Sequence, residues 1–319
     1  MIGSTYELAD KRIWVVGHRG MVGAALVRRL AGEGCEILSV GREEVDLIRQ
    51  ADVENWMQAT RPDAIFLAAA KVGGIVANDT MPASFIYENI MIEANVIHAA
   101  HQCDVEKLLF LGSSCIYPRM AEQPMKEEAL LTGPLEPTNE WYGIAKIAGI
   151  KLCQAYRKQH GRDFISAQPT NLYGPHDNFH LEHSHVIPAL IIKAHNAKLG
   201  GAAQMEVWGS GKPYREFLYV DDLADALVFL MQNYSDEIQL NVGTGDEVTI
   251  GDLARGVVDA VGFRGDLVFD SSKPDGAPRK LIDSSRLLGM GWKPKVPLNE
   301  GLKLAYTWYL ENQDNIRKS

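Results

Sequence analysis

The chain has 319 residues, 46% of them apolar, and a net charge of −9 at pH 7. That length allows one large domain or two modest ones with a buried core, and no apolar run approaches the ~20 residues that a membrane span needs. The acidic balance disfavours nucleic acid as a partner, although a local group of cations can still bind an anionic small molecule. The four cysteines form no CxxC motif, which is typical of reduced thiols. We therefore expect a cytoplasmic protein that binds neither nucleic acid nor membranes.

Short apolar runs alternate with amphipathic segments along the first half of the chain. We expect buried strands at 12–17, 35–40, 64–69, 107–112 and 164–169, separated by helices at 21–31, 50–59, 82–102 and 140–160. We expect loops over 174–215 around one helix at 187–197, then a helix at 221–232, a strand at 239–242 and helices near 249–261 and 299–311. Strands separated by helices are typical of a parallel sheet covered on both faces.

This order of elements predicts an α/β fold, a Rossmann-type doubly wound parallel sheet with a smaller C-terminal α/β domain. We place a nucleotide-binding domain at 1–174, with later segments near 216–245 returning to it. A mainly substrate-binding domain is expected at 175–319, where the regular alternation of strands and helices weakens.

The loop after the first expected strand reads GHRGMVG and runs from Gly17 to Gly23. Its first glycine allows a tight turn, its second lets a pyrophosphate approach the backbone, and its third lets helix and strand pack closely. The GxxGxxG spacing differs from the common GxGxxG dehydrogenase pattern, and a glycine triplet alone is weak evidence. At the junction between a strand and a helix of a parallel sheet, however, it indicates a dinucleotide site.

The end of the second expected strand indicates which dinucleotide is bound. An acidic residue there would bind the ribose 2′-hydroxyl of NAD, but the strand ends in SVGR, with Arg42 at that point. Arg19 lies in the glycine loop, and two guanidinium groups suit the 2′-phosphate of NADPH or NADP+. The alternative, an arginine that contacts only solvent, stays open because Glu43 and Glu44 follow Arg42 directly.

The segment YGIAK places Tyr142 and Lys146 four residues apart, on one face of a helix. Such a pair often occurs by chance, but this helix follows the strand that leads to Ser113 and Ser114. The pKa of a phenol is near ~10, and an adjacent ammonium and the nicotinamide charge would lower that of Tyr142 and ease proton exchange with a substrate oxygen. Lys146 would also hold the ribose hydroxyls, and one of the serines would bond the same substrate oxygen. The set indicates hydride transfer at a ketone, and the residues alone do not distinguish the two serines.

Several segments extend this pattern from about residue 11 to the C-terminal helices: GHRGMVG, AAAKVGGI, LGSSCIYP, EPTNEWYGIAKIAG, PTNLYGPHDNF, SHVIPAL, WGSGKPYREFLYVDD, NVGTG and KPDGAPRK. Together they resemble the extended short-chain dehydrogenase/reductase superfamily and, more narrowly, its GDP-L-fucose synthase family. The resemblance implies an NADPH-dependent enzyme that converts GDP-4-keto-6-deoxy-D-mannose to GDP-L-fucose. It implies epimerisation at C3 and C5, followed by reduction of the ketone at C4.

The same resemblance assigns two residues to the epimerisation. A 4-ketone acidifies the C–H bonds of both neighbouring carbons, and inverting those centres needs a base on one face of the sugar and an acid on the other. Cys115, two residues after Ser113, is the expected base, because a thiolate near a positive group can accept a proton. His185 is the expected acid. From the residues alone, Cys115 fits a small buried hydrophobe equally well.

His185 lies in a histidine-rich loop that also holds His176, His180 and His183. Such a cluster could equally suggest a metal site. We expect no metal, because no cysteine or carboxylate set of matching spacing accompanies these histidines.

The resemblance also implies which residues form the sites. The expected catalytic residues are Ser113, Cys115, Tyr142, Lys146 and His185. The expected cofactor-binding residues come from the glycine loop, the end of the second strand and the later turns: Gly17, His18, Arg19, Gly20, Met21, Val22, Gly23, Arg42, Asp46, Leu47, Leu111, Gly112, Ser113, Ser114, Tyr142, Lys146, Pro169, Thr170, Asn171, Leu172 and His185.

A GDP-sugar carries two phosphates and a guanine, so its site needs cations and a surface for stacking. By the resemblance, the diphosphate contacts are Lys193, Arg215 and Lys280. Trp208 would pack against the ligand and Asp275 would accept hydrogen bonds from it. From the residues alone, Trp208 fits the core better, and Arg215 could form a surface ion pair with the neighbouring glutamate.

Other functions compete with this one. A nucleotide-sugar 4-epimerase or dehydratase with tightly held NAD is disfavoured by Arg42 and by the pairing of Cys115 with His185. A non-catalytic NADP-binding regulator is disfavoured because such proteins typically lose the catalytic tyrosine or lysine. Another ketoreductase of the same superfamily is the remaining alternative. We expect a homodimer formed through the helices at 82–102 and 140–160, although their apolar faces could serve the core alone.

Overall fold

The computed structural model of the protein describes residues 6–180, 184–273 and 275–314. Its strands are β1 (Arg12–Val16), β2 (Glu36–Leu38), β3 (Ala64–Leu67), β4 (Lys107–Leu111), β5 (Asp163–Pro169), β6 (Asn171–Tyr173), β7 (Gln204–Trp208), β8 (Tyr214–Arg215), β9 (Phe217–Tyr219), β10 (Leu240–Val242), β11 (Val248–Thr249), β12 (Asp266–Asp270) and β13 (Arg279–Lys280). Short 3₁₀ turns cover Ser114–Ile116, Glu127–Ala129 and Pro137–Asn139.

The helices are α1 (Met21–Leu30), α2 (Gln50–Thr60), α3 (Ile75–Thr80), α4 (Pro82–Gln102), α5 (Glu140–His160), α6 (Val186–Leu199), α7 (Val220–Asn233), α8 (Ile250–Val261), α9 (Ser285–Gly289) and α10 (Leu298–Glu311). Within the described ranges, none of them combines the length and the apolar character that crossing a membrane requires.

Six of the described strands form one parallel sheet in the order β2–β1–β3–β4–β5–β10. The chain passes from β1 outward to β2 and then forms β3 on the other side of β1, so the strand order reverses between β1 and β3. In such sheets, ligands bind beyond the carboxyl ends of the strands at this reversal. The α/β class with a doubly wound parallel sheet, predicted from the sequence, is confirmed.

The sheet packs between two helix layers because neighbouring side chains of a strand point to opposite faces. In β1, Ile13 and Val15 join a buried cluster with α1 and α7. Trp14 and Val16 join the opposite cluster, which includes α2, α4 and α5. All four side chains are almost fully buried. This double burial explains why the strand reads as a continuous apolar run.

A third buried cluster lies in the second half of the chain, where α6, α8 and α10 pack against short strands. Strands β7 and β12 form a two-stranded parallel sheet within this region. The sequence prediction of loops and a single helix over 174–215 is wrong at β7. Met205 and Val207 of β7 are buried between exposed neighbours, but the partner strand comes much later in the chain, so the short alternation was not recognised.

The second half of the chain also contributes to the main sheet. Strand β10 pairs with β5 at the edge of that sheet. Strand β9 pairs with β6, which directly follows β5. The carboxyl end of β5 is therefore covered by segments from both halves of the chain.

The first prediction concerns Gly23, in the first turn of α1. An added Cβ would overlap the Gly17 carbonyl group and lie 2.8 Å from His18 Cα. These are backbone atoms, so they cannot move aside as a flexible side chain would. We predict that Gly23→Ala lowers the free energy of unfolding by about 1–3 kcal/mol, although alanine favours helices by about 1 kcal/mol. Urea denaturation followed by circular dichroism measures the change.

Gly32→Ala is the matched control, because no atom lies within 4 Å of its added Cβ. It should keep the free energy of unfolding within about 0.5 kcal/mol of the wild-type value. Equal losses in the two variants would show that packing against Gly17 does not restrict Gly23.

Candidate active site

The glycine loop lies at the strand reversal, between β1 and α1. Gly17 has a φ of +88°, which favours glycine, and its added Cβ would lie 2.9 Å from the backbone of Ala69, just after β3. Gly20 is the N-cap of α1, and no side chain of a described residue caps that helix. The first amide groups of α1 are therefore available to a ligand. This cradle fits the pyrophosphate of a dinucleotide.

Both arginines of the expected 2′-phosphate site lie near the end of β2. Arg19 forms an ion pair with Glu43 at 2.6 Å, and the hydrogen bond of that pair raises the pKa of Arg19. Arg42 lies 3.9 Å from Asp46, and 75% of its side chain is exposed. Two guanidinium groups at this point fit a phosphate better than a ribose hydroxyl. The remaining residues predicted here belong to the same two loops: His18, Met21 and Val22 in the first, and Leu47 in the second.

Ser113 and Tyr142 meet at the carboxyl end of β4. The Ser113 hydroxyl accepts a hydrogen bond from Cys115 N–H at 3.2 Å and is also hydrogen-bonded to the Tyr142 phenol. The fully buried Gln168 side chain accepts a bond from Ser113 N–H at 2.9 Å and so fixes the turn that Leu111 and Gly112 begin. Ser114 is buried. Of the two serines, Ser113 is the one that contacts Tyr142.

The pKa of Tyr142 is raised, whereas the sequence analysis expected Lys146 to lower it. Burial is the main cause, the negative charges of Cys115 and Glu93 add to it, and the Ser113 hydrogen bond opposes them only in part. Lys146 does not reverse this shift, because its ammonium pairs with Glu93 at 3.0 Å. The Lys146 Nζ lies 5.8 Å from the centre of the Tyr142 ring.

Two donors converge on the Cys115 sulfur. The Asn139 Nδ2 donates to Sγ at 3.3 Å, and the Lys280 Nζ donates to it at 3.4 Å. The sequence analysis assigned Lys280 to the diphosphate of the substrate, but the structure places its ammonium at this sulfur. A hydrogen-bond donor and a positive charge both favour the thiolate form of a cysteine. The sulfur of the half-buried Cys115 therefore has polar contacts, unlike that of a cysteine packed as a core hydrophobe.

His185 is the N-cap of α6, and its Nδ1 lies 3.9 Å from the Asp177 carboxylate. Desolvation opposes its charged form, but the attraction of the Asp177 carboxylate outweighs desolvation and the repulsion from Lys280, so the pKa of His185 is raised. Because 47% of the His185 side chain is exposed, the imidazolium can reach a ligand. This environment suits a proton donor.

The turn after β5, Pro169–Leu172, is tied to the second half of the chain through Glu216. The Asn171 Nδ2 and the Thr170 hydroxyl donate to the Glu216 backbone oxygen at 2.8 and 3.3 Å. The Glu216 side chain is fully buried, and burial raises its pKa. It accepts hydrogen bonds from backbone N–H groups of Gly245 and Ile282. The surface ion pair with Arg215, which the sequence left open, is therefore not formed.

Trp208 forms an exposed platform in the second half of the chain. The core position considered for it is wrong, because 46% of the residue is exposed. The Lys193 Nζ lies 4.6 Å and the Lys273 Nζ 5.3 Å from the ring centre. An aromatic face beside two ammonium groups fits a base attached to a diphosphate.

Arg215 lies next to Lys280 in register, because β8 and β13 pair in parallel. In the part of the chain that the structure describes, its guanidinium bonds backbone oxygens and pairs with no carboxylate. The Asp275 carboxylate accepts bonds from the Ser210 N–H and hydroxyl, both at 2.7 Å. The predicted substrate residues thus divide into the Trp208 platform and a second group that extends toward Cys115.

The sequence analysis missed six residues that shape the site: Glu93, Asn139, Gln168, Asp177, Glu216 and Lys273. Four of them lie inside segments that it had singled out, EPTNEWYG, PTNLYGPHDNF, WGSGKPYREFLYVDD and KPDGAPRK, so a systematic search of those segments for polar side chains would have found them. Glu93 and Gln168 lie in elements that read as core, and nothing in the sequence shows which groups they meet.

The structure describes only part of the histidine-rich loop. His176 packs against the Trp308 ring, with ring centres 5.0 Å apart, and His183 lies outside the described residues. Across residues 6–180, 184–273 and 275–314, no three histidine, cysteine or acidic side chains are arranged to hold a metal ion.

Comparisons with known proteins show to which family the chain belongs. The family model described as NAD dependent epimerase/dehydratase family matches residues 13–243. A GDP-L-fucose synthase from Sinorhizobium fredii is 60% identical over 307 residues, which cover 96% of this chain and 98% of the relative. A GDP-L-fucose synthase from Escherichia coli is 54% identical, with 97% of this chain and 100% of the relative covered.

A solved structure of a GDP-L-fucose synthetase from Naegleria fowleri bound to NADP has a TM-score of 0.90 and 31% identity, with 99% of both chains covered. The similarity therefore spans the glycine loop, the Ser113–Tyr142 centre and the Trp208 platform. The chain belongs to the NAD dependent epimerase/dehydratase family and, within it, to the GDP-L-fucose synthase family.

Proposed function

We propose that the protein is an NADPH-dependent epimerase and reductase that converts GDP-4-keto-6-deoxy-D-mannose to GDP-L-fucose. The observation that carries this proposal is the meeting of a proton acceptor, Cys115, a proton donor, His185, and the Ser113–Tyr142 pair. Cys115 lies close enough to Tyr142, and Lys280 to both Cys115 and His185, for their charges to act on one another. Two inversions and one reduction at neighbouring carbons need this combination of groups.

Epimerisation uses the acidity that the ketone gives to the C–H bonds at C3 and C5. The Cys115 sulfur, held by Asn139 and Lys280, takes the proton from carbon, and the charge moves to the ketone oxygen as an enolate. Ser113 and Tyr142 bond that oxygen. His185 then returns a proton to the carbon from the opposite face. Exchange with solvent restores the thiolate and the imidazolium before the second carbon reacts.

Reduction at C4 uses the same contacts to the ketone oxygen. Bound NADPH supplies the hydride for this step. Tyr142 donates its phenolic proton to the oxygen that becomes the C4 hydroxyl, and Ser113 orients that oxygen. The raised pKa of Tyr142, caused mainly by burial, keeps the phenol protonated for this role. The Lys146 Nζ lies 5.8 Å from the centre of the Tyr142 ring. We expect it to contact the ribose of the cofactor.

Binding of the nucleotide parts follows from the charges described above. Arg19 and Arg42 bind the 2′-phosphate of the cofactor, and the first amides of α1 bind its pyrophosphate. Trp208 packs on the guanine of the substrate, with Lys193 and Arg215 at its diphosphate. Within this proposal, residues 1–174 form the cofactor domain, joined by segments near 216–245, and residues 175–319 mainly form the substrate domain.

We also propose a cytoplasmic homodimer. Helices α4 and α5 pack side by side and leave apolar side chains on their outer surface, among them Tyr87, Trp141 and Ile144. A second copy of these two helices would cover that surface in a four-helix contact. The four free cysteines support a reducing compartment.

The proposed function is tested by incubating the protein with GDP-4-keto-6-deoxy-D-mannose and NADPH in deuterated water. NMR of the product should show the fucose configuration with deuterium at C3 and C5, while NADPH is consumed. Cys115→Ser should slow the exchange at least about a hundredfold, because the thiolate base is lost.

Tyr142→Phe serves as the complementary variant, since it should stop NADPH consumption while exchange into the keto sugar continues. NADPH consumption without exchange would leave a simple ketoreductase and remove Cys115 from the chemistry. If the wild type shows no exchange and consumes no NADPH, the enzymatic function is rejected.

Asn139 offers a sharper test of the base. Asn139→Asp keeps the shape of the side chain but replaces a donor to the sulfur with a carboxylate, so repulsion opposes the thiolate. We predict that exchange at C3 and C5 slows by about tenfold to a hundredfold. Asn139→Ala is the matched variant, because it removes the donor without adding a charge, and should be affected less. If alanine is as harmful as aspartate, the charge at the sulfur is not what matters.

Asp177 sets the pH range of the acid. Desolvation alone would lower the pKa of His185, and Asp177 raises it, so the imidazolium persists to higher pH than it would without Asp177. In Asp177→Asn, the alkaline limb of the exchange rate should therefore move to lower pH, by on the order of one unit. At pH values below the alkaline limbs of both proteins, the variant and the wild type should exchange at similar rates. A uniform loss at every pH would instead indicate a damaged loop.

A further inference from the structure

A buried carboxylate contacts the lysine of the catalytic pair from a neighbouring helix. Glu93 of α4 and Lys146 of α5 each have 2% of their side chains exposed, and Glu93 Oε1 lies 3.0 Å from Lys146 Nζ. Gly149, one turn after Lys146, provides the space: an added Cβ would lie 2.7 Å from Glu93 Oε2 and would overlap the Phe110 ring. The ion pair is therefore part of the packing between the two helices.

Few other groups face this pair. The Phe110 ring of β4 lies with its centre 4.6 Å from Lys146 Nζ. On α5, burial raises the pKa of Cys153 to about 12, so this thiol stays neutral. Burial raises the pKa of Glu93 as well, and the Lys146 ammonium and a backbone hydrogen bond at Gly149 oppose that rise.

Tyr142 is the titratable group on which the pair acts. Besides Glu93, the charge that faces the phenol comes from Cys115, and the hydrogen bond comes from Ser113. An ammonium without a counter-ion stabilises a nearby phenolate, which suits removal of a proton from an alcohol. Ketone reduction needs the opposite, a phenol that still carries the proton it donates. A carboxylate beside the ammonium cancels much of its field at the phenol.

We propose that Glu93 is a positioning residue that holds and neutralises Lys146 and thereby keeps Tyr142 in its proton-donating form. This role rests on the proposed function, since it concerns the proton delivered to the C4 oxygen. The ion pair itself is testable without any substrate.

The first test uses Glu93→Gln, which removes the charge and keeps the shape. Tyrosinate absorbance is titrated in the protein without ligands, and the signal of Tyr142 is isolated by comparison with the Glu93→Gln/Tyr142→Phe double variant. The phenol of Tyr142 should ionise at a pH that is lower than in the wild type by about one unit or more. Ionisation of that phenol at an unchanged pH would overturn the proposal.

The second test measures kcat for NADPH oxidation against pH. In Glu93→Gln the alkaline limb of kcat should move to lower pH, because the phenol of Tyr142 loses its proton at lower pH. Glu93→Asp retains the charge and should restore most of the wild-type profile. A merely structural role predicts a loss that is equal at all pH values, and that result would reject the proposal.

Glu88→Gln is the matched control, because Glu88 lies on the same helix and pairs with Lys71 instead of Lys146. It should move neither the titration nor the pH profile. If Glu93→Gln does not fold, Glu93→Ala replaces it in the titration: without the carboxylate, Tyr142 should again ionise at a lower pH than in the wild type, and no change would count against the proposal. If the wild type consumes no NADPH, the proposed function is rejected, but the titration of Tyr142 can still be interpreted. If the wild type turns over and Tyr142 ionises at the same pH in Glu93→Gln, only the role of Glu93 is rejected.

Discussion

The side chain and the backbone of Glu216 together join the two halves of the site. Its side chain accepts hydrogen bonds from Gly245 and Ile282, and its backbone oxygen accepts bonds from Thr170 and Asn171. A buried carboxylate is tolerated only when such donors surround it, so the segments that carry Gly245 and Ile282 cannot separate from Glu216 without leaving its side chain unsatisfied. The turn after β5 and the strand that carries Lys280 are thereby held in one arrangement. The contact between Lys280 and Cys115 depends on it.

Much of the fold could be predicted from the sequence because its long elements carry strong periodic signals. The helix predicted at 140–160 is found as Glu140–His160, and the strands of the main sheet lie within a residue or two of the predicted runs or inside them. Buried parallel strands are nearly all apolar, and they stand out against amphipathic helices. The two-residue strands β8, β11 and β13 were not predicted, because pairing with distant segments defines them and their own residues carry no period.

In the site, too, local sequence patterns could be recognised, whereas contacts between residues far apart in the chain could not. The glycine loop and the Tyr142–Lys146 spacing are local patterns, so the sequence could suggest their roles. The partners of those residues come from elsewhere in the chain: Glu93 lies on another helix, and Lys280 reaches Cys115 from 165 positions away. The expectation of a lowered pKa for Tyr142 was wrong because burial, which the local spacing does not show, raises this pKa, and the carboxylate of Glu93 adds to the rise.

The cysteine proposed as the base is also a residue that oxidants attack. Cys115, the proposed base, is only half-buried, and peroxides oxidise a cysteine thiolate to a sulfenic acid. Such an oxidation would remove the proton acceptor and leave Ser113, Tyr142 and the glycine loop unchanged. The oxidised protein would therefore hold its nucleotides without inverting the sugar, and thiol reductants would restore it. Sensitivity to oxidants thus follows from the proposed use of a cysteine as the base.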